Sequence, residues 1–290
     1  LPARLAAISI LGKSPRATWQ ASRFAGVARK GPDRPILGGS LSMSPSQATG
    51  YARCPRLYAI ERRLRIGDPT SVYMQLGNMV HQALEYAEAA VLGSDASHNT
   101  LEAALDVLRG VWENADFGTP QQNRAWLAKA ERILTKLYTT WPHRGGRPVA
   151  VEKKVSLEID GVTWKGVIDR LEETAEGLRV IDYKTGGTPL SKEEAATSIQ
   201  LAFYAMAMNA EAGQPNVVAA ELWFPAARGQ SVAIRSLDLA RLPEIEEAMH
   251  EITEQIAAEN WEPRVSDACG KCPHRSSCPA WPEGRGAYVA

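Results

Sequence analysis

The spacing of apolar residues changes once along this chain, at about residue 149, and that change limits the fold more than any other feature. Before it, apolar residues recur at helical spacing. Val80, Leu84 and Ala87 do so within 72–92, and Trp126, Ile133, Leu134, Leu137 and Tyr138 within 121–140. A further helix is expected at 100–115. An earlier one opens at Ser44-Pro45 and reads through Ala48, Tyr51, Ala52 and Leu57, with serine as cap and proline in the first turn. After residue 149, Val151, Val155, Leu157 and Ile159 alternate with polar residues. Asp160-Gly161 signals a tight turn, and Val162 to Leu171 returns as a second strand. Leu178 to Lys184 reads as a third strand, 191–212 as a helix, 217–224 and 230–236 as strands, and 242–259 as a helix; 261–290 is irregular. The implied class is α/β, a small mixed sheet flanked by helices.

Two acids stand beside apolar strand runs, Asp169 in Gly166-Val167-Ile168-Asp169-Arg170 and Asp182 in Ile181-Asp182-Tyr183-Lys184-Thr185-Gly186. Adjacent strands can bring both carboxylates to one end of a sheet, where they repel unless a cation lies between them. Asp182 and Lys184 are two residues apart on a strand and share a face. By itself Asp-x-Lys is common, and an ion-pair ladder on a surface explains it equally well.

The order of four motifs decides between these readings. Gly77-Asn78-Met79-Val80-His81, Gly166 to Arg170, Asp182 to Gly186 and Gln200-Leu201-Ala202-Phe203-Tyr204 follow one another between residues 77 and 204. In that order they resemble the PD-(D/E)XK nuclease superfamily in its RecB/AddB branch, over residues from about 42 to 280. The resemblance implies a restriction-endonuclease-like fold and phosphodiester hydrolysis in DNA. It implies His81, Asp169, Asp182 and the Tyr183 carbonyl as ligands of Mg²⁺ or Mn²⁺, and Lys184 as the catalytic lysine. Gln200 and Tyr204, one turn apart on a helix, would complete the site. Glu152 opens the first strand as an acid that can stand behind these ligands, and it is not counted among them.

Cys54, Cys269, Cys272 and Cys278 are all the cysteines, the last three spaced Cys-x2-Cys-x5-Cys. Paired disulfides or a four-thiolate metal site would use all four. No secretion signal precedes them, which disfavours disulfides, whereas zinc remains open by spacing. The family resemblance implies a [4Fe–4S] staple, with one cysteine before the nuclease core and three after it.

The net charge is zero, yet residues 1–70 hold twelve Lys and Arg against three Asp and Glu, a net of +9, and the rest carries −9. A basic arm beside an acidic body suits a polyanion, and a solvated, partly disordered leader over residues 1–40 explains the same charges equally well. Residues 1–41, rich in Arg, Gly, Pro and Ser and lacking an initiator Met, read as a linker from an upstream region, ahead of a nuclease domain over 42–290. The resemblance is to the C-terminal nuclease domains of AddB- or AdnB-type helicase–nuclease subunits. It implies a helicase region in the same polypeptide, a second helicase–nuclease subunit, a single-stranded DNA end as substrate, and break resection and recombinational repair in the bacterial cytoplasm at the nucleoid. No apolar run reaches membrane-spanning length. A stand-alone iron–sulfur exonuclease of the CRISPR-associated kind shares every motif. A DNA-binding module without activity is the remaining alternative, opposed by the intact His81, Asp169, Asp182 and Lys184.

Overall fold

The computed structural model describes residues 42–66, 71–92, 100–113, 115–140 and 147–285. The linker expected over 1–41 lies outside them. The described residues form two compact units, one of 71–157 and 165–245, the other of 42–66, 158–164 and 246–285.

The first unit holds the sheet. Strands β2 (Arg147–Ile159) and β3 (Val162–Glu173) pair with each other, and their turn has both Asp160 and Gly161 at positive φ, as the Asp-Gly signal requires. β3 pairs antiparallel with β4 (Leu178–Tyr183), which pairs parallel with β5 (Val217–Phe224). β5 in turn pairs antiparallel with β6 (Ala233–Ser236). The sheet is therefore mixed, as expected.

Helices α3 (Val72–Leu92), α4 (Leu101–Trp112) and α5 (Pro120–Thr139) pack Leu76, Val80, Leu84, Leu108, Leu134 and Leu137 into one core with Ile181, Tyr183 and Trp223. Thr119 and Gln122 start α5 with a reciprocal capping box.

The helix expected over 191–212 is two, α6 (Lys192–Ala196) and α7 (Ile199–Asn209). Thr197 bonds its hydroxyl back to Glu193, and Ser198 caps α7 by accepting the Leu201 N–H. Local side-chain bonds thus compete with continuous helix. Trp223 and Phe224 are core residues.

In the second unit, β1 (Ser42–Met43) pairs parallel with Thr163 and Trp164. The helix expected through Leu57 breaks into α1 (Pro45–Arg53) and α2 (Pro55–Tyr58), with Cys54 extended between them. Pro55 offers no N–H and pushes the residue before it out of helical conformation. The body of α8 (Leu242–Ala257) supplies Thr253, which accepts the Trp164 indole N–H at 3.1 Å. Tyr51, Tyr58 and Trp261 form an aromatic cluster, and the Tyr51 hydroxyl donates to the Asn260 carbonyl at 2.7 Å. Short 3₁₀ turns at Asp267–Lys271 and Arg275–Ser277 carry the tail to α9 (Pro282–Arg285).

Candidate active site

The antiparallel register of β3 and β4 runs to Arg170 opposite Ile181, and Asp169 and Asp182 follow next on their two strands. Ile168, Val180 and Ile181 are fully buried, which holds both strands in the sheet up to the acids; Asp169 and Asp182 are 8% and 3% exposed. Asp169 accepts the Tyr183 backbone N–H at 2.6 Å and lies 3.4 Å from His81 Nδ1. Asp182 meets Lys184 Nζ at 2.7 Å with one oxygen and accepts from Gln200 Nε2 at 2.7 Å with the other. Lys184 Nζ donates to Gln200 Oε1 at 2.8 Å, and Gln200 Nε2 lies 3.1 Å from the Tyr204 hydroxyl. Asp182, Lys184 and Gln200 therefore form a closed triangle, and the two ends of the amide suit only one orientation within it.

Two motif glycines allow these elements to approach. A Cβ at Gly77 would stand 3.2 Å from Thr185 Oγ1, so α3 lies close to the loop that follows β4. A Cβ at Gly166 would stand 2.8 Å from ring atoms of both Phe203 and Tyr204, so α7 presses on β3 there. Hence the first glycine precedes His81 by one turn, and the second serves the helix carrying Gln200 and Tyr204.

Among the described residues, the group whose ligand atoms lie within 4.8 Å of one another is His81, Glu152 and Asp169. Of the ligands expected from the sequence, the structure brings His81 and Asp169 together. Asp182 stands outside this group, its oxygens engaged by Lys184 and Gln200, and Asp169 accepts the Tyr183 N–H. Glu152, left out of the expected set, takes the third place. It is held at φ +47° in the middle of β2, a left-handed conformation that re-aims a strand side chain and that residue spacing does not reveal.

The electrostatics are those of crowded acids. Burial and then Asp169 push Asp182 up to about 6. Burial and then Asp169 likewise push Glu152 up to about 7. Burial lowers His81, but Asp169, Asp182 and Glu152 together outweigh it and raise the imidazole to about 9. One imidazole and two carboxylates, with a third carboxylate beside them, are a donor set suited to a hard divalent cation such as Mg²⁺ or Mn²⁺, which would relieve the repulsion. An open pocket of about 500 Å³ gives access; it is lined by His81, Glu152, Asp169, Gly77, Thr185 and the first turn of α3.

A buried ionic network lies one residue beyond each aspartate. Arg170 meets Glu88 at 3.0 Å and Glu172 at 2.9 Å, Arg179 meets Glu172 at 3.0 Å, and the Tyr183 hydroxyl donates to Glu88 at 2.7 Å. Alternation along β4 sends Asp182 toward α7 and Tyr183 toward α3. Nothing in the sequence marked Glu88, because its partners are 82 and 95 positions away.

All four cysteines lie in the second unit, free and half-buried. Arg264 donates to the Ala52 carbonyl and Arg56 to the Ser277 carbonyl at 3.5 Å, so the segment around Cys54 is tied to the tail on both sides. The sulfurs do not converge within 4.8 Å as a group of three or more.

The PD-(D/E)XK nuclease superfamily matches residues 42–279. Gene 69 protein of Mycobacterium phage D29 is 26% identical over 268 residues, covering 82% of this chain and 96% of the phage protein. Gene 69 protein of Mycobacterium phage L5 is 24% identical with the same coverage of each chain. The crystal structure of a protein described as a "putative exonuclease" from Eubacterium rectale superposes with a TM-score of 0.52 at 19% identity, over 80% of this chain and 87% of that one, and so shares the fold. No helix among the described residues is long and apolar enough to cross a membrane.

Proposed function

The chain belongs to the PD-(D/E)XK nuclease superfamily, and on that premise we propose that it hydrolyses phosphodiester bonds of DNA at the cluster just described. The observation that carries the reading is Lys184 and Asp182 at 2.7 Å beside the converged His81, Glu152 and Asp169. These three, with Asp182, would hold Mg²⁺ or Mn²⁺, which when bound polarises a phosphate oxygen and lowers the pKa of a water molecule. Lys184 carries the positive charge that faces the phosphate as negative charge grows in the transition state. Gln200 fixes Lys184 against Asp182, and Tyr204 braces Gln200 from one turn further along α7.

The four cysteines we assign to a [4Fe–4S] cluster. Support comes from their number, their half-buried thiols and the paired ties that hold the Cys54 segment to the tail. The cluster closes a loop around the whole catalytic unit and limits the freedom of the unfolded chain, as a cross-link does.

In the finer reading, a helicase region of the same polypeptide and a second helicase–nuclease subunit deliver a single-stranded end for break resection. Its support is the motif order of the RecB/AddB branch and the outlying cysteine. One observation favours a stand-alone nuclease instead: this chain covers 96% of each phage relative, so those proteins consist of essentially this module. The test is cleavage of end-labelled single strands with Mg²⁺ or Mn²⁺, with and without ATP, by the wild type and by Asp182→Asn. The wild type is expected to cut in both conditions, and cutting that survives Asp182→Asn ends the reading.

A further inference from the structure

α3 begins with three consecutive exposed apolar residues, Val72 at 39%, Tyr73 at 64% and Met74 at 59% exposure. An amphipathic helix turns such residues inward unless they serve a partner. Here Ser71 fixes the first turn by accepting the Met74 N–H at 3.3 Å. Tyr73 and Met74 line the same pocket as His81, Glu152 and Asp169. Met74, Gly77 and His81 follow one stripe of α3, so the shelf begins about 10 Å along the helix from the imidazole.

The tyrosine ring is exposed and also braced. Trp126 of α5 meets it edge-on at 5.2 Å and 87°. Trp126 stacks on Phe117 at 5.8 Å, and Phe117 on Trp112 at 4.6 Å and 6°; these last two rings are buried in the core. Lys129 places its ammonium 5.0 Å from the Tyr73 ring centre and 4.9 Å from that of Trp126. A rigid aromatic face with a cation beside it is what a single strand needs, because every base can stack and every phosphate is negative.

We propose that Tyr73 and Met74 form a stacking shelf for a nucleobase flanking the phosphate in the metal pocket, with Lys129 facing the adjoining strand backbone. The proposal rests on the nuclease reading and names the substrate class as single-stranded. A protein partner would account for the apolar residues, but not for their sharing a pocket with the acidic cluster or for the lysine set against the rings.

Single-stranded oligonucleotides carrying one 2-aminopurine, or one abasic position, at successive places are bound to the full chain with Ca²⁺ in place of Mg²⁺. At one position or two adjacent ones, binding is expected to quench 2-aminopurine, and the abasic change to weaken affinity about 5- to 150-fold. Tyr73→Ala should weaken binding of the intact strand by a similar factor, become indifferent to the abasic position and keep its melting temperature. Tyr73→Phe should behave as wild type. The proposal is overturned if the two penalties multiply at every position, if no strand binds, or if Tyr73→Ala leaves DNA affinity intact and dissolves an oligomer. Cleavage of the same strands with Mg²⁺ is scored separately. Stacking without cleavage removes the nuclease reading and keeps the shelf, and cleavage without stacking does the reverse.

Discussion

Glu88 and Arg170 meet at 3.0 Å inside the protein, the carboxylate fully buried and the guanidinium nearly so. Burial pushes Glu88 up, while Arg170 and the Tyr183 hydroxyl pull it back; against burial, Glu88 above all holds Arg170 charged. The pair ties α3, two turns beyond His81, to the residue after Asp169. Glu88→Ala leaves a buried cation short of one partner and is expected to cost about 3–5 kcal/mol. The lower end is favoured because Glu172 still holds Arg170 at 2.9 Å. Glu88→Gln keeps the bond to Tyr183 and should cost less. Denaturant midpoints of the two variants check the order.

The glycines differ in what an added methyl group would meet. Gly166→Ala drives a Cβ to 2.8 Å from two buried rings and is expected to destabilise the fold by about 1–3 kcal/mol. Gly77→Ala meets a hydroxyl at 3.2 Å that can rotate, so it should leave the melting temperature nearly unchanged. Its effect should fall on cleavage, because α3 carries His81. Parallel melting and cleavage measurements distinguish the two.

Removing the amine or its support separates charge from positioning. Lys184→Met is expected to lower kcat about 10²- to 10³-fold, the usual loss for one electrostatic donor. Gln200→Ala, which removes the amide bridging Lys184 and Asp182 but leaves their ion pair, should lower it about 10- to 100-fold. Single-turnover cleavage measures both, and an unaffected Gln200→Ala would show that the triangle has no part in the chemistry.

Acidity and metal should act in opposition. A carboxyl raised in the fold stabilises it while protonated, so the contributions of Asp182 and Glu152 are lost as pH rises through about 6 and about 7. An imidazole raised in the fold stabilises it while charged, so that of His81 is lost as pH rises through about 9. All three lower the metal-free melting temperature from about pH 4.5 to 9. Mn²⁺ at about pH 8 should restore it by binding the folded state alone. Thermal melts in chelator and in Mn²⁺ test this, with Glu152→Gln showing the shallower metal-free slope.

The proposed cluster predicts visible absorption that Cys54→Ser removes, together with a lower melting temperature, since the segment between α1 and α2 would lose that link to the tail. Protein purified without oxygen that binds zinc, and no iron, would replace the cluster assignment.

The motif order and the mixed α/β class were legible in the residues alone, because apolar spacing and an Asp-Gly turn are local signals, whereas the convergence of Asp169 and Asp182 was legible only through the family resemblance. The same resemblance named His81, Lys184 and Gln200, which the structure brings to the two aspartates, and Tyr204, which it sets against Gln200. That Glu152 joins His81 and Asp169 depends on one left-handed residue in β2, which no local pattern announces. Nor does one announce the pairing of Glu88 with Arg170, or Tyr73 standing exposed at the pocket with Trp126 and Lys129. Local pattern records which face of an element is apolar; which distant side chain meets it is set by packing.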